Sequence, residues 1–315
     1  MKVGIWGAAG AVGHHAVPEL LRRGHSVRVV GRREDALRKA FGDKVEIVAA
    51  DLTSADGTAK AADGLDAVVY ALGLPYSKTS FANYPPMMRT AVASMRAAGV
   101  KRLLHISNVY VYGMPQTDKV REDHPLAPCS VKGTHRLGQE TVVREAHVPG
   151  EFETIVLRPA DYYGTHSLGL IGEVFDVAVK GTGTANLLGP ADKPHEFQFV
   201  NDLGANVAAL VGRDGVWGEA YNVPTAGVIS CREFALKVFA AAGGKPKMRV
   251  AGLMMQRILG LFMPILRELA EMNYLLRTPV LLDGSKLRAA LGDELRVTPY
   301  DAGIATTIAA MKAGV

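Results

Sequence analysis

The sequence predicts an α/β protein built on a doubly wound parallel sheet, followed by a smaller, mostly helical C-terminal domain. Short strings of Val, Ile and Leu recur through the first half without polar alternation. Such strings are typical of strands that are buried on both faces of a parallel sheet. Helix-like patterns lie between them, and this βαβα alternation indicates a doubly wound sheet. After about Thr165 the alternation stops.

Six strands and four helices are predicted in the first half of the chain. The predicted strands are residues 2–6, 26–30, 45–49, 67–71, 102–107 and 154–157. The predicted helices are residues 13–23, 33–40, 85–98 and 133–146. Gly24, Gly42 and Gly99 follow three of these helices, and glycine most easily adopts the left-handed conformation that ends a helix.

The second half has a different pattern. Residues 181–197 read as loop and short strands, residues 243–247 as a hinge between helices, and the tail from Val250 as mostly helical. The Met-rich stretch at 253–266 is expected to be helix core or a lid whose methionines face an apolar cavity. An apolar lid would favour a lipophilic carbonyl or enone as substrate.

Composition excludes several classes of protein. The formal charge of +5 is mild for 315 residues and contains no basic block, which argues against nucleic-acid binding. Two cysteines cannot form a disulfide framework, and no His, Cys, Asp or Glu pair has metal-ligand spacing. The most apolar segment is broken by Arg257 and Pro264, and no signal-peptide pattern opens the chain. We therefore expect a cytoplasmic protein with no metal and no membrane partner.

The first candidate site is GAAGAVG at residues 7–13, directly after a strand and at the start of a helix. Glycines in this pattern allow a tight turn and a close approach of a dinucleotide pyrophosphate, whose charge the helix N-terminus stabilises. The alternative is a structural turn without a ligand. The motif predicts a Rossmann-type domain whose cofactor-binding residues include Gly7, Ala9, Gly10, Ala11, Val12 and Gly13.

The end of the second strand indicates which dinucleotide is bound. An NAD-specific site usually has an acidic residue there, whereas this chain has Arg32 and Arg33. A guanidinium can bind a 2′-phosphate, so NADP(H) is predicted over NAD(H). The alternative is two solvated arginines at a helix start. Further cofactor contacts are expected at the ends of the third and fourth strands, from Asp51, Leu52, Ala71, Leu72 and Gly73.

Five segments together resemble the extended short-chain dehydrogenase/reductase superfamily, in its NAD-dependent epimerase/dehydratase branch. They are GAAGAVG and the segments at 100–113, 157–164, 197–210 and 219–227. The resemblance implies a dinucleotide-binding domain at 1–165 with about 197–228, and a substrate-binding domain at 166–196 and 229–315. It also implies cofactor contacts from Asn83 and Pro159, and a homodimer through the helices at 85–98 and 133–146.

Members of this family act through a serine or threonine, a tyrosine and a lysine. Matching VYVYG to the family pattern puts Asn108 in the serine position, with Ser107 one residue before it. Matching KGTHRLGQE puts Lys132 in the tyrosine position and Arg136 in the lysine position. All three roles therefore fall on substituted residues.

The substituted residues keep chemistry that is useful in such a site. Asn108 can hydrogen-bond a substrate oxygen, and Arg136 can hold ribose hydroxyls. Lys132 is expected to lie beside Arg136, where like charge and burial would lower its pKa and fit it for acid/base work. The alternative is an exposed lysine at a helix start.

Several tyrosines lie near the matched motifs. A phenol among Tyr110, Tyr112, Tyr162 and Tyr163 is the alternative replacement for the missing tyrosine. Tyr112 is expected to pack as the family's structural residue. Tyr110, Tyr162 and Tyr163 are candidates for substrate contact.

Two functions follow as alternatives. The first is an NADP(H)-dependent oxidoreductase or epimerase-like enzyme that acts on a small organic substrate, either a nucleotide sugar or a lipophilic ketone or enone. Lys132 would be its acid/base, with Asn108 and Ser107 binding the reacting oxygen. The second is a catalytically silent NADP(H)-binding sensor that partners another protein. Loss of the triad favours the second, and an intact C-terminal domain favours the first.

Overall fold

The computed structural model describes residues 1–167 and 171–314. Its strands are β1 (Lys2–Trp6), β2 (Ser26–Gly31), β3 (Glu46–Ala49), β4 (Ala67–Tyr70), β5 (Arg102–Ile106), β6 (Glu153–Arg158), β7 (Asp161–Tyr163), β8 (Ala185–Leu188), β9 (Pro194–His195), β10 (Phe197–Phe199), β11 (Ala220–Asn222), β12 (Ile229–Ser230) and β13 (Met248–Ala251).

The helices are α1 (Ala11–Arg22), α2 (Glu34–Phe41), α3 (Ala55–Ala62), α4 (Lys78–Phe81), α5 (Tyr84–Ala97), α6 (Val131–Glu145), α7 (Gly172–Lys180), α8 (Val200–Val211), α9 (Cys231–Ala242), α10 (Leu253–Gly260), α11 (Pro264–Ala270), α12 (Tyr274–Arg277), α13 (Ser285–Leu291) and α14 (Tyr300–Lys312). Short 3-10 turns lie at Gly42–Lys44, Val109–Tyr112 and Gly292–Glu294.

The central sheet has seven strands in the order β11-β6-β5-β4-β1-β2-β3. Every pair in it is parallel. The strand order reverses next to β1, with β2 on one side and β4 on the other, and ligands of doubly wound sheets bind at such a point. The fold class and the six predicted strands are confirmed, each strand within two residues at its ends. The sequence did not predict β11, the seventh strand.

The described residues form four hydrophobic clusters, and two of them determine the architecture around the glycine loop and in the C-terminal half. The first lies between the sheet and the helices α1 and α8. These two helices can pack closely because residue 204 is glycine; a side chain there would meet the backbone of His15 at 2.5 Å. Leu287 and Leu291 of α13 also belong to it. The second is a cluster of packed aromatic rings in the C-terminal half: Tyr163, Phe175, Phe197, Phe199, Phe234 and Tyr300.

The C-terminal half differs from the predicted pattern at two places. The segment at 243–247 connects α9 to the strand β13, and not one helix to another. The Met-rich stretch is helical, but it does not face a cavity: Met254 is 77% exposed and Phe262 is 80% exposed. Apolar composition predicted burial there, whereas the structure leaves these side chains on the surface.

None of the helices in the described ranges has both the length and the apolar character that crossing a bilayer requires.

Candidate functional site

The glycine loop connects β1 to α1 at the reversal point of the sheet. Gly7 has φ +88°, and a side chain there would lie 2.8 Å from the carbonyl oxygen of Ala71. A side chain on Gly13 would lie 2.2 Å from the carbonyl oxygen of Ala8. Gly10 differs, because a side chain there would meet only the Gly7 oxygen, at 3.2 Å. The space above Gly10 therefore opens outward, which suits the approach of a pyrophosphate.

The start of α1 has no anion of its own. Gly10 is the N-cap residue of α1, no side chain caps the helix there, and the first turn of the helix contains no acidic residue. Ala9 and Gly10 are exposed, whereas Val12 and Gly13 are buried. Amide groups at an uncapped helix start, in a loop open to solvent, fit a bound phosphate. The structure also brings Ala71 and Leu72, which follow β4, against this loop.

Arg32 and Arg33 lie where β2 ends and α2 begins. Both are exposed, and neither forms an ion pair with a carboxylate in the part of the chain that the structure describes. Asp51 follows β3 and accepts hydrogen bonds from the backbone nitrogen and the hydroxyl of Thr53, at 3.0 and 2.8 Å. These bonds and the charge of Arg32 lower the pKa of Asp51. The guanidiniums thus make no direct contact with a carboxylate among the described residues, although the Asp51 carboxylate is close enough to Arg32 to feel its charge.

An open cavity of about 470 Å³ adjoins this edge of the sheet. It lies between the loops after β3 and β4 and the first turns of α5, and Asn83 is part of its lining. Asn83 immediately precedes α5, whose first turn contains proline, as the sequence indicated. Its amide nitrogen donates to the carbonyl of Thr79 at 3.3 Å. Pro159 is buried and directly follows β6, whose carboxyl end lies at the same edge of the sheet.

Polar side chains gather beyond the carboxyl ends of β4, β5 and β6, and we call this region the cleft. The Oδ1 atom of Asn108 accepts the backbone N–H of Tyr110 at 3.1 Å and so caps the 3-10 turn at Val109–Tyr112. Its amide nitrogen makes no hydrogen bond with the described residues, so it can donate to a ligand. The hydroxyls of Tyr110 and Tyr76 are 3.4 Å apart. Burial raises the pKa of both phenols, which keeps them as hydrogen-bond donors.

Lys132 lies near the start of α6, fully buried. Its ammonium donates to Glu268 Oε2 at 2.6 Å, to Glu271 Oε1 at 2.9 Å and to the carbonyl of Glu268 at 2.9 Å. These bonds use all three of its protons. It also lies 5.0 Å from the centre of the Tyr76 ring. Two expectations are therefore corrected: Lys132 is not an exposed lysine, and its charged neighbours are carboxylates and not Arg136.

Arg136 lies one turn further along α6 and is buried. Its guanidinium donates to the carbonyl of Ile106 and to Gln139 Oε1, both at 2.7 Å, and its central carbon lies 4.7 Å from the centre of the Tyr84 ring. Nε of Arg136 is buried without a hydrogen-bond partner in the described chain. Arg136 thus fixes the end of β5 and keeps one donor group unused.

Ser107 is not directed to the cleft. It is buried, and its hydroxyl donates to Glu140 Oε2 at 2.9 Å. Glu140 also pairs with Arg158, which in turn donates to the hydroxyl of Tyr112 at 2.7 Å. Tyr112 therefore has a structural role, as the sequence predicted. Of the two candidate serine-position residues, only Asn108 has a free donor.

The tandem tyrosines of β7 point to opposite sides, as neighbours in a strand must. Tyr163 is 1% exposed and stacks on Phe199 in the second core, so the expectation that it contacts substrate is wrong. Tyr162 is half-buried. Burial raises the pKa of its phenol, and the positive charge of Arg136 partly offsets this rise. The adjacent Asp161 contacts His195 Nε2 at 3.0 Å.

Sequence reasoning missed two parts of this cleft. Tyr76 follows β4, and its position after a parallel strand could have marked it as a cleft residue. Glu268 and Glu271 gave no such signal, because nothing in their own segment relates them to Lys132. Among residues 1–167 and 171–314 no group of three or more His, Cys, Asp or Glu side chains could hold a metal ion.

Three histidines meet beside the glycine loop. The rings of His14 and His166 are stacked with centroids 3.7 Å apart, and His15 lies 6.2 Å from His166. His166 has φ +59°, an uncommon conformation for a residue with a side chain. Burial, with the neighbouring His166 and His15, lowers the pKa of His14 to about 4. These histidines are neutral at neutral pH.

The His14 pKa predicts acid sensitivity. Because the folded-state pKa of about 4 lies below the ordinary value of 6.5, the unfolded chain binds more protons in that interval. The neutral His14 side chain therefore costs no stability above about pH 6.5, and the free energy of unfolding falls as the pH drops from there toward the folded-state pKa. After allowance for partial solvent screening, we expect the unfolding free energy to fall by about 1 kcal/mol between about pH 7 and about pH 5. Urea unfolding of the parent and of His14→Phe at both pH values measures this fall. If the variant lost as much stability as the parent, His14 would not be the cause of the acid sensitivity.

The comparisons with known proteins agree with this geometry. Residues 7–149 match a family model described as NAD(P)H-binding. A UDP-glucose 4-epimerase of Mycolicibacterium smegmatis is 26% identical over 77% of this chain and 83% of its own length. A 3 beta-hydroxysteroid dehydrogenase/Delta 5-->4-isomerase of Mycobacterium tuberculosis is 28% identical over 80% and 72%.

Solved structures share the fold over the whole chain. The dTDP-glucose 4,6-dehydratase of Streptomyces venezuelae, with NAD bound, superposes with a TM-score of 0.81 at 22% identity, covering 99% of this chain and 97% of its own. The UDP-glucuronic acid 4-epimerase of Bacillus cereus, also with NAD, gives 0.81 at 16% identity with 100% coverage of both. These relatives and neighbours are epimerases, dehydratases and dehydrogenases. Residues 7–149 therefore carry an NAD(P)H-binding domain, and the whole chain has the fold of these epimerases and dehydratases.

Proposed function

We propose that this protein is an NADP(H)-dependent oxidoreductase or epimerase-like enzyme that acts on the hydroxyl or carbonyl group of a small organic substrate. The observation that carries the proposal is the uncapped glycine loop at the start of α1, which lies on the same sheet edge as a cleft lined with polar donors. A phosphate-binding helix start and a substrate cleft on one edge are what a dinucleotide-dependent enzyme needs.

In this proposal the chain itself binds and orients. The amides at the start of α1 would hold the pyrophosphate, and Arg32 and Arg33 would bind the 2′-phosphate of NADP(H). Arg136 would hold the nicotinamide ribose, and its unpartnered Nε supports this role. When bound, the cofactor supplies or accepts a hydride.

Lys132 is the proposed acid/base. The ammonium can give a proton to the oxygen of a carbonyl that is being reduced, and the amine can take it back from a hydroxyl. Asn108 would hold that oxygen through its free amide nitrogen. Because Glu268 and Glu271 accept all three Lys132 protons, this role requires the ammonium to exchange one of these contacts for a substrate.

The substrate belongs to one of two chemical classes. Named relatives include UDP-glucose 4-epimerases and 3 beta-hydroxysteroid dehydrogenases, so nucleotide sugars and lipophilic alcohols or ketones are both represented. A homodimer through α5 and α6 is a further proposal; these helices pack together where Gly138 faces Pro85.

A silent NADP(H) sensor is the second candidate. It is favoured by the engagement of Lys132 with two carboxylates and of Ser107 with Glu140, which ties two candidate catalytic residues into structural contacts. Hydride transfer separates the candidates. An enzyme oxidises NADPH in the presence of at least one ketone, enone or nucleotide sugar from a panel, whereas a sensor binds NADPH and turns over none of them.

The cofactor preference predicts the effect of removing the two arginines. We expect Arg32→Ala/Arg33→Ala to weaken NADPH binding by about tenfold to a hundredfold, because charge-assisted bonds to phosphate contribute about 1.5–3 kcal/mol. NADH binding should change little. Fluorescence titration with both cofactors measures this, with Arg38→Ala as the control because Arg38 is exposed on the adjoining α2. Equal losses for NADPH and NADH would contradict the preference.

A further inference from the structure

A helical hairpin in the C-terminal half presents an apolar surface to solvent. It consists of α10, the turn at 261–263 and α11, and we call residues 253–270 the apolar hairpin. The end of α10 lies against the start of α11, where a side chain on Gly260 would be in ordinary van der Waals contact with the backbone nitrogen of Arg267, at 3.4 Å. Its exposed large apolar residues are Met254, Met255, Ile258, Leu261, Phe262, Met263 and Ile265. So many exposed apolar side chains in one short hairpin indicate an interaction site.

The hairpin is amphipathic, and its inner side is held by polar contacts. Gln256 is 3% exposed and donates to the carbonyl of Ala251 at 2.7 Å. Glu268 reaches Lys132 from the same inner side. Leu261 and Phe262, at the turn, are 78% and 80% exposed. The apolar residues at the turn are therefore the most exposed part of a segment that is anchored elsewhere.

The exposed charges around the hairpin are basic. Residues 243–271 contain five basic residues and two acidic ones, Glu268 and Glu271. Both acidic side chains are directed inward to Lys132, and Glu271 also lies 3.6 Å from the ammonium of Lys78. Lys245, Lys247 and Arg267 are exposed, and none of them pairs with a carboxylate among the described residues. An apolar tip with basic surroundings is complementary to anionic lipid headgroups over an acyl layer.

We propose that the apolar hairpin binds the surface of an anionic membrane, with Leu261 and Phe262 inserted among the acyl chains and the basic residues at the headgroups. A second copy fits this surface less well. In a twofold contact the same patch faces itself, so its basic residues would face like charges. The sequence predicted no membrane partner because it has no spanning segment, but a surface contact requires none.

The contact has a consequence for the site. Glu268, on α11 of the hairpin, reaches Lys132 in the cleft. A hairpin that lies at a lipid surface would therefore bring Lys132 and the cleft close to that surface.

Flotation of the full-length protein with lipid vesicles tests the proposal. We expect binding to vesicles of equimolar phosphatidylcholine and phosphatidylglycerol, and little binding to phosphatidylcholine alone. Leu261→Ser/Phe262→Ser should reduce the bound fraction by about tenfold or more, and Lys247→Glu/Arg267→Glu should reduce it in a salt-dependent way. Met114→Ser is the matched control, since Met114 is 55% exposed outside the hairpin.

Other results would overturn the proposal. One is the absence of binding to either vesicle, together with a dimer in sedimentation that Leu261→Ser/Phe262→Ser converts to a monomer; the hairpin would then cover a second copy. Another is equal binding of the parent and the double serine variant to anionic vesicles, which would place any lipid contact elsewhere. Thermal melting of each variant confirms that the fold is intact, as expected for substitutions at exposed positions.

Discussion

Replacing Arg158 by methionine should lower the free energy of unfolding by about 3–5 kcal/mol, because it leaves the carboxylate of Glu140 buried without its charged partner. Both side chains are buried, with 1% and 0% exposure, and they form a bidentate contact. Ser107 and Tyr112 complete the network around them. Urea unfolding followed by circular dichroism measures the change.

Two controls separate the buried pair from a general effect of losing an arginine. Glu140→Leu/Arg158→Met removes both charges and should lose less stability than Arg158→Met alone. Arg38→Met breaks an exposed pair with Glu34, and we expect a change of at most about 1 kcal/mol. If Arg158→Met and Arg38→Met proved equally mild, the buried network would not have the structural role assigned to it.

Replacing Lys132 by arginine should reduce turnover by about 10²–10⁴-fold, the usual contribution of a general acid/base. Arginine keeps the positive charge and can still pair with Glu268 and Glu271, but it does not release its proton near neutral pH. Stability and NADPH affinity should therefore remain close to the parent. Turnover is measured as NADPH oxidation with the best substrate from the ketone, enone and nucleotide-sugar panel.

The carboxylates provide the matched control for Lys132. Glu268→Gln removes one of the two ion pairs and leaves Lys132 in place with Glu271 as its charged partner. If Lys132 acts on the substrate, this variant should keep much of the parent kcat, while Lys132→Arg loses it. If Lys132 only anchors α11, the carboxylate variant should be the more damaged one and Lys132→Arg should turn over normally.

The sequence was most informative where local geometry decides the structure. The glycine loop could be predicted in detail because its constraints are local: Gly7 needs a positive φ, and Gly13 lies against Ala8. The strands β1 to β6 followed from short strings of Val, Ile and Leu, although Arg28 interrupts β2 and His105 lies in β5. The three-residue β11 was not predicted, because so short a segment carries no periodicity and is fixed by its pairing with β6.

The contacts of the candidate site were harder to predict because they join distant segments. Glu268 and Glu271 lie 136 and 139 residues from Lys132, and only the path of the chain brings them there. For Tyr162 and Tyr163, strand alternation requires opposite directions, but which one faces the cleft depends on how the second core packs. The Met-rich stretch was assigned to the interior on composition, which cannot distinguish a buried apolar surface from an exposed one.

The most direct test of the central claim is an equilibrium titration of the purified protein with NADPH and with NADH, after any bound dinucleotide has been removed on charcoal. We expect saturable binding of NADPH, about tenfold or more tighter than the binding of NADH, because Arg32 and Arg33 would bind the 2′-phosphate that only NADPH carries. Binding of neither dinucleotide would contradict the account, because the uncapped glycine loop would then be a structural turn and not a cofactor site.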